Sequence, residues 1–483
     1  MRFSLQSREI IADSIETVTC AQHHDACIAI PGCDKNMPGC VMGIARHNRP
    51  SIVVYGGTLN SGYSKLLGRP ADINTCQEVH GAFLFNTLKD WPQADKDATP
   101  EQILADVERH SVVGPGACSG MYTANTLAAI IETLGLSLPG SSSTPASSPS
   151  KMRECDRIGA AIRTCMEKDI KPRDLLTKKS FENALVMIMA IGGSTNSVLH
   201  SLAMARTADV DLSLSDFQRV SNKTPFIANL SPSGKFNMVD LYKIGGIPSI
   251  MKLLIAGNLL DGSTLTVTGK TLAENVESWP SLPQGQEIIR SLENPIKASG
   301  HLEILRGNIA PGGSVAKITG KEGLRFTGKA RVFNKEHELK TALDQRRIPR
   351  GENLVLVVRY EGPIGGPGMP EQLRASAALM GAKFTNIALI TDGRYSGASH
   401  GFIVGHIVPE AAIGGPIAII QDDDIIDINA ETHELSMPCV SEEEIARRLK
   451  EWTPPPRIVT RGVLAKYARL VGNASEGAMT DIW

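Results

Sequence analysis

The chain contains 483 residues, of which 42% are apolar, 21% charged and 5% aromatic. This composition is typical of a globular protein with roughly two to four domains and excludes a disordered tail. The 50 basic and 51 acidic residues leave a formal charge of -1, and no apolar run approaches the roughly 18 residues of a membrane-spanning helix. We therefore expect neither nucleic acid nor a membrane as a partner.

The cysteines indicate a reducing environment. Nine are scattered along the chain, and an odd, scattered set fits free thiols or metal ligands better than a disulfide framework. The first residues lack the apolar core of a signal peptide, and Glu9, Asp13 and Glu16 are unlike a transit peptide. We expect an intracellular location, which would be a mitochondrial or plastid matrix in a eukaryote and the cytoplasm in a bacterium.

In the first part of the chain, short apolar runs alternate with helical periodicity. This pattern predicts an α/β domain with a parallel sheet over residues 1–282. Residues 51–55 form a predicted buried strand that ends at Gly56 and Gly57. Helices are predicted over 121–136, 182–191 and 195–205, the last two separated by a Gly-Gly-Ser break.

A composition change marks the end of this part. The segment WPSLPQGQ supplies prolines and a glycine and predicts a linker, so the second domain is placed over residues 283–483. Its short β-rich runs predict a β-barrel or sandwich with a few helices. The predicted strands are 314–319, 324–333, 354–360, 387–391 and 417–428.

Two glycine-flanked cysteines carry candidate chemistry. In IPGCDKNMPG, Cys33, Asp34 and Lys35 place a thiol, a carboxylate and an amine side by side, which could serve iron–sulfur and Mg²⁺. The alternative is a buried cysteine beside a surface ion pair. In GPGACSGMYTANT, Cys118 precedes a predicted helix whose dipole would favour an iron-binding thiolate. The alternative is a small residue at a tight turn.

Three further segments contain polar groups between glycines. GGSTN at 192–196 could bind an anion through backbone N–H groups, although the pattern favours a simple N-cap. Glu361 follows a strand and is a metal-ligand candidate, with a solvated glutamate as the alternative. Ser396, near Arg394, could present a hydroxyl and a cation to an anionic substrate; the alternative is a turn around an internally satisfied Asp392.

Seven short sequence motifs, called sequence words below, occur in order along the chain: IPGCDKNMPG, GPGACSGMYTANT, LGLSLPGSSS, GGSTNSVLH, GNIAPGGSVAK, RYEGPIGGPGMPE and TDGRYSGASHG. Together they resemble the dihydroxy-acid dehydratase family of iron–sulfur and Mg²⁺ hydro-lyases, which also includes sugar-acid and phosphogluconate dehydratases. The words around Cys118 are more similar to the branched-chain dihydroxy-acid enzymes. The resemblance implies an α/β cofactor domain, a C-terminal β-barrel domain and a homodimer.

The resemblance also implies the metal ligands. Cys33 and Cys118 match ligands of an iron–sulfur cluster, expected as [2Fe–2S] with [4Fe–4S] as the alternative. Asp34 and Glu361 match Mg²⁺ ligands. Lys35 matches a lysine that becomes carbamylated, a reaction that requires the neutral amine and hence a buried setting.

For the reaction, the resemblance implies that Ser396 is the base that removes the C2 proton of a 2,3-dihydroxy carboxylate. Loss of the 3-hydroxyl and tautomerisation of the enol then give a 2-keto acid, from 2,3-dihydroxyisovalerate or 2,3-dihydroxy-3-methylvalerate, in branched-chain amino-acid biosynthesis. The alternatives are a sugar-acid dehydratase of the same family and a non-catalytic paralogue.

The sequence departs from the family at its start. Family members carry a further N-terminal segment that supplies one more cluster cysteine and one more Mg²⁺ carboxylate, and neither Cys20 nor Cys27 aligns with that cysteine. We therefore expect the chain as printed to lose iron readily and upstream extension to restore it. We also expect Ile10, Ile11 and Ile15 to lie on an exposed apolar surface.

Overall fold

A computed structural model of the chain describes residues 2–321, 323–397, 399 and 401–481. The chain divides into two compact units that interleave in sequence. The helical unit comprises Ser7–Asn60 and Gly114–His301, and the sheet unit comprises Met1–Gln6, Ser61–Val113 and Leu302–Trp483. The domain boundary predicted after residue 282 stays a prediction.

Helices make up most of the helical unit, and none of the described helices is both long and apolar enough to span a membrane. In chain order the helices are α1 Ser4–Ala21, α2 Asn36–His47, α3 Ile73–Leu84, α4 Pro100–His110, α5 Thr123–Thr133, α6 Pro149–Glu167, α7 Pro172–Leu175, α8 Lys178–Ile191, α9 Asn196–Thr207, α10 Leu214–Ser221, α11 Met238–Lys243, α12 Gly246–Ala256, α13 Leu272–Glu277, α14 Glu336–Asp344, α15 Arg374–Gly381, α16 Glu442–Glu451 and α17 Val463–Leu470.

Most strands belong to the sheet unit. In chain order the strands are β1 Cys27–Ala29, β2 Ser51–Val53, β3 Asn60–Ser64, β4 Arg69–Ala71, β5 Val112–Val113, β6 Leu302–Leu305, β7 Gly313–Lys317, β8 Arg325–Phe333, β9 Leu354–Val358, β10 Glu371–Gln372, β11 Ile387–Thr391, β12 Arg394–Tyr395, β13 Phe402–Val408, β14 Ile425–Asn429 and β15 Glu434–Ser436.

The helical unit contains the predicted parallel strands and helices. β1 and β2 pair in parallel, with Cys27 opposite Ser51, and all of β2 is buried. Every residue of α5 is buried, including the polar Asn125 and Glu132, whose side chains hydrogen-bond to neighbouring loops. The predicted break between α8 and α9 is confirmed: Gly192 ends α8 with a φ of 79°, which glycine adopts without steric cost.

The sheet unit is built on one mixed sheet of eight described strands in the order β15-β14-β8-β9-β11-β13-β7-β6. The three central pairs, β8–β9, β9–β11 and β11–β13, are parallel. Backbone bonds join its two edges: after β6, Arg306 N donates to His433 O (3.0 Å), and Arg306 O accepts from Leu435 N of β15 (2.7 Å). These bonds nearly close the sheet, so the predicted barrel-like domain is confirmed.

Four predicted strands of the second part appear as β7, β8, β9 and β11, but the strand predicted over 417–428 is wrong in its first half. Pro416–Ile419 forms a 3₁₀ turn, and the strand itself is β14, Ile425–Asn429. Gly414 has a φ of 79°, and Pro416 occupies the first turn of this segment. Proline at the first position fixes φ and needs no N–H partner, which favours a turn over a strand at the start of this apolar run.

The apolar surface expected at the start of the chain is only partly present. Ile10 is 44% exposed, as expected. Ile11 and Ile15 instead pack against α2, where β-carbons built on Gly39 and Gly43 would lie 3.0 and 2.8 Å from the respective isoleucine Cβ atoms. Two glycines one helical turn apart therefore let α1 approach α2 closely, a contact that the sequence pattern did not reveal.

Helices α3 and α15 of the sheet unit pack as closely against each other as α1 and α2 do. A β-carbon built on Gly81 would lie 2.4 Å from Ala378 Cα, whereas one built on Gly159 of α6 meets nothing within 4 Å. We expect Gly81→Ala to destabilise the sheet unit by about 1–3 kcal/mol through overpacking. Gly159→Ala is the control and should stabilise its helix by about 0.5–1 kcal/mol. Calorimetric melting that shifts both variants upward would contradict this packing.

Candidate active site

In the helical unit, the loop that carries Cys33 follows β1, and the segment that follows β2 contacts the loop that carries Cys118. Parallel pairing continues beyond the strands, because Val54 N donates to Ala29 O (2.8 Å) and Gly56 N to Pro31 O (2.9 Å). The segment after β2 then holds the second loop, where Leu59 N donates to Cys118 O (3.0 Å). Two cysteines far apart in sequence are thus brought to one edge.

Close backbone approach explains the glycines around Cys118. Gly116 has a φ of 134°, and a β-carbon on it would lie 2.6 Å from Leu59 Cα. The loop is also held from inside by Asn125, whose Nδ2 donates to Cys118 O (2.9 Å) and Gly120 O (2.7 Å), while its Oδ1 accepts from Tyr55 Oη (2.7 Å). The backbone around Cys118 is therefore a tightly packed turn, as the alternative interpretation of this segment predicted.

The buried hydroxyl of Tyr55 is within electrostatic reach of both thiols. Complete burial raises the pKa of the Tyr55 hydroxyl well above its usual value, and the charges of ionised Cys118 and Cys33 raise it further. Partial desolvation and the neighbouring Asp34 carboxylate raise the pKa of the Cys33 thiol. A bound cation would offset such a shift, because thiolate is the form that ligates metal.

At the Cys33 segment, the alternative of a buried cysteine beside a surface ion pair is wrong, because the burial is the opposite. Cys33 is exposed, whereas Lys35 is buried and its Nζ donates to Asp34 Oδ2 (2.7 Å). Lys35 is also the N-cap of α2, so Cys33 precedes a helix start. By contrast, α5 begins only at Thr123, so the predicted position of Cys118 at a helix N-terminus is wrong and the dipole acts on it less strongly.

The Gly-Gly-Ser-Thr-Asn segment forms an internal polar network. Ser194 Oγ lies 2.9 Å from Thr123 Oγ1, and Ser194 N donates to Thr126 Oγ1 (3.1 Å). Thr195 is the N-cap of α9 but makes no side-chain capping bond. The groups that could have bound an anion therefore connect α9 to the start of α5.

In the sheet unit, Glu361 follows β9 and is buried, so the solvated alternative is wrong. Its Oε1 accepts from Glu336 N (3.1 Å), and its Oε2 lies 3.7 Å from Lys335 Nζ. A β-carbon built on Gly393, after the neighbouring strand β11, would lie 2.8 Å from Glu361 Cβ. Glu361 and the segment leading to Ser396 therefore meet at the carboxyl edge of β9 and β11.

The loop after β11 has a buried frame. Asp392 is fully buried and accepts from Tyr360 N (3.0 Å), Glu361 N (2.9 Å) and Ala411 N (2.9 Å), as the alternative of an internally satisfied carboxylate predicted. Burial raises its pKa to about 6, against the lowering effect of these donors. Ser396 is partly exposed, and its N donates to Gln372 O (3.2 Å).

The cation predicted beside Ser396 is not the one that the structure supplies. Arg394 is fully buried, donates to Met369 O (2.8 Å) and pairs with Glu371 (3.1 Å). Lys317 instead reaches this loop, since its Nζ lies 3.4 Å from Gly397 O. The sequence word GNIAPGGSVAK contained Lys317, but nothing in the pattern distinguished its side chain. Ala398 and His400 of the same loop lie outside the described residues.

The predicted site residues thus fall into two groups. Cys33, Asp34, Lys35 and Cys118 gather in the helical unit, and Glu361 and Ser396 gather in the sheet unit. Within the described residues, no group of three His, Cys, Asp or Glu side chains has a geometry that would hold a metal ion.

Comparison with known proteins identifies the family. Models of the dihydroxy-acid/6-phosphogluconate dehydratase N-terminal and C-terminal regions match residues 1–275 and 287–478. The chain belongs to this dehydratase family. The resemblance found in the seven sequence words is therefore confirmed, and with it the assignment of the chain as a hydro-lyase.

Individual members of the dehydratase family align along the whole chain. The mitochondrial dihydroxy-acid dehydratase of Schizosaccharomyces pombe is 54% identical over 483 residues, covering 100% of this chain and 79% of the relative. That of Saccharomyces cerevisiae is 53% identical, covering 100% and 81%. The dihydroxy-acid dehydratase of Francisella tularensis subsp. novicida is 52% identical, covering 100% and 83%.

Asn125 offers a test of how the Cys118 loop is held. Asn125→Ala removes two buried donors and should lower the free energy of unfolding by about 1–3 kcal/mol. It should also speed alkylation of Cys118, because both carbonyl anchors of the loop are lost. Asn222→Ala, at an exposed position of the same unit, is the control and should change neither value. Equal alkylation rates of Cys118 in the two variants would refute the anchoring role.

Proposed function

We propose that the chain dehydrates 2,3-dihydroxy carboxylates to 2-keto acids, with 2,3-dihydroxyisovalerate and 2,3-dihydroxy-3-methylvalerate as substrates, in branched-chain amino-acid biosynthesis. The observation that carries the proposal is the whole-chain identity of 52–54% to proteins named dihydroxy-acid dehydratase. The two thiols at one edge of the β1–β2 pair support it. A sugar-acid dehydratase is not favoured, because these relatives are not named for that activity.

The donor set fits the cofactors that the family resemblance implies. Cys33 and Cys118 offer soft thiolate ligands on loops fixed by backbone bonds, and we assign them to an iron–sulfur cluster of the [2Fe–2S] type. Asp34, Glu361 and a carbamylated Lys35 offer oxygen ligands, which Mg²⁺ prefers. Lys35 is buried and its Nζ lies 2.7 Å from Asp34 Oδ2, so these two candidate ligands are side by side.

The chain's own residues account for proton transfer. When bound, Mg²⁺ would supply Lewis acidity at the substrate carboxylate and 2-hydroxyl, and the cluster would supply it at the 3-hydroxyl. As the alkoxide, Ser396 Oγ accepts the C2 proton; the hydroxyl so formed returns that proton to the departing 3-hydroxyl, which leaves as water, and the resulting enol tautomerises to the 2-keto acid. Backbone bonds from Ser396 N to Gln372 O (3.2 Å) and from Ser399 N to Ser396 O (2.9 Å) hold the base in place.

Partners and location follow from the same family. We propose that the protein is a homodimer. Its ligand in catalysis is a small dihydroxy acid, the substrate. Both yeast relatives are named mitochondrial, whereas the Francisella protein is bacterial. We therefore propose a matrix or cytoplasmic compartment for this chain, in agreement with its scattered cysteines.

The function is tested by assaying the anaerobically reconstituted protein for 2-keto acid formed from 2,3-dihydroxyisovalerate, with aldonic acids as competing substrates. Turnover of the branched substrate supports the proposal. Turnover of sugar acids alone would make the chain a sugar-acid dehydratase. Absence of turnover with both cofactors bound would indicate a non-catalytic paralogue.

For the base, Ser396→Ala should lower kcat by about 10²–10⁴-fold, the usual contribution of a general base, while KM and metal content stay near the wild-type values. The reason is that only the proton acceptor is lost. Ser475→Ala, which removes a hydroxyl bonded to Gly312 O, is the control in the same unit. Retention of most of kcat in Ser396→Ala would remove Ser396 from this role.

For the cluster, Cys118→Ala should lose iron and visible absorption, because a thiolate ligand is removed. Cys155→Ala, at an exposed position on α6, is the matched control and should retain both. Iron and sulfide analysis of the purified variants measures the difference. Equal iron content in the two variants would contradict the assignment of Cys118 and favour the non-catalytic paralogue.

A further inference from the structure

The backbone immediately before Glu361 is strained. Tyr360 has a φ of 66°, in the left-handed region that bulky residues seldom adopt. Such a conformation costs about 1–3 kcal/mol and persists only where the surroundings impose it. The segment from Tyr360 to Gly365 therefore needs fixed partners if the Glu361 side chain is to keep one position.

Asp392 supplies the first set of partners. Its Oδ2 accepts from Tyr360 N (3.0 Å) and Ala411 N (2.9 Å), and its Oδ1 accepts from Glu361 N (2.9 Å). Tyr360, Asp392 and Ala411 each lie just beyond the carboxyl end of a strand, and these strands, β9, β11 and β13, are parallel neighbours. One buried carboxylate thus ties three strand ends together on the N-terminal side of Glu361.

Glu410 supplies the second set, on the C-terminal side. Its Oε1 accepts from Ile364 N (2.9 Å) and its Oε2 from Gly365 N (2.8 Å). The loop approaches so closely that a β-carbon built on Gly362 would lie 2.5 Å from Glu410 Oε2. Lys335 completes the enclosure, because its Nζ donates to Tyr360 O and to Gly365 O (3.0 Å).

We propose that Asp392 and Glu410 are positioning residues that hold the backbone on the two sides of Glu361 and thereby set the affinity of its carboxylate for a divalent cation. The inference rests on the proposed role of Glu361 as a magnesium ligand. Neither carboxylate is itself assigned to the metal or to the substrate. Each acts through the loop, because its oxygens accept hydrogen bonds from loop N–H groups. A carboxylate can accept two or more such bonds at once, whereas the amide of Asn or Gln would turn an N–H₂ group toward one of these donors.

The test measures Mn²⁺ binding to the iron-loaded full-length protein after removal of Mg²⁺ with a chelator. Mn²⁺ suits oxygen ligands as Mg²⁺ does, and its electron paramagnetic resonance signal reports the free ion. Outer-shell substitutions typically weaken metal binding by about 10–100-fold, and we expect Glu410→Gln and Asp392→Asn to raise the Kd for Mn²⁺ by at least about tenfold, with iron content unchanged. If Asp392→Asn does not fold, Glu410→Gln decides the outcome.

Two further variants separate the explanations. Asp427→Asn alters a buried carboxylate of β14 that accepts from Arg325 Nε (2.9 Å), and it should leave the Kd unchanged. If it weakens Mn²⁺ binding as much as Glu410→Gln does, general destabilisation explains the result and the positioning role is refuted. If Glu361→Gln weakens binding but Glu410→Gln does not, the positioning role alone is refuted. If Glu361→Gln has no effect, the proposed metal ligand is itself wrong.

Discussion

Parallel strand pairing is the constraint on which both groups of candidate residues depend. Neighbouring parallel strands end at a common edge, and the loops that leave that edge must lie side by side. In the helical unit this brings the Cys33 loop beside the segment that holds Cys118, and in the sheet unit it brings Glu361 beside the loop from Asp392 to Ser396. Chemistry from distant parts of the sequence is collected in each unit by the same geometry.

Loops at such an edge have no strand partners for their N–H groups, and buried carboxylates take that role here. Asp392 and Glu410 do so around Glu361. Glu132 of α5 does so in the helical unit, where it accepts from Gly140 N and Ser142 N, each at 2.8 Å. Burial raises the pKa of Glu132 and of Glu410 to about 7. Because an unsatisfied buried N–H is costly, these acids are required by the loops they hold.

Glycine is the second requirement of these edges. At Gly116 and Gly393 the backbone passes so near a neighbour that a β-carbon would lie 2.6 Å from Leu59 Cα and 2.8 Å from Glu361 Cβ, respectively. The glycine-rich sequence words that identify the family therefore describe close backbone contacts as much as chemistry. This explains why the candidate ligands occur within glycine-rich words in the sequence.

The sequence by itself determined the α/β and barrel-like classes, the family, the candidate residues and the main elements, because apolar periodicity and glycine-rich words are local features. It could not show that Arg394 is buried within its own unit, that Lys317 reaches the Ser396 loop, or that Pro416–Ile419 leaves the sheet. Nor could it assign Glu410 to the Glu361 loop. These features depend on which strands are neighbours and on which side chains face the edge they share. Only the tertiary structure decided them, because contacts between residues distant in sequence leave no periodic signal in the chain.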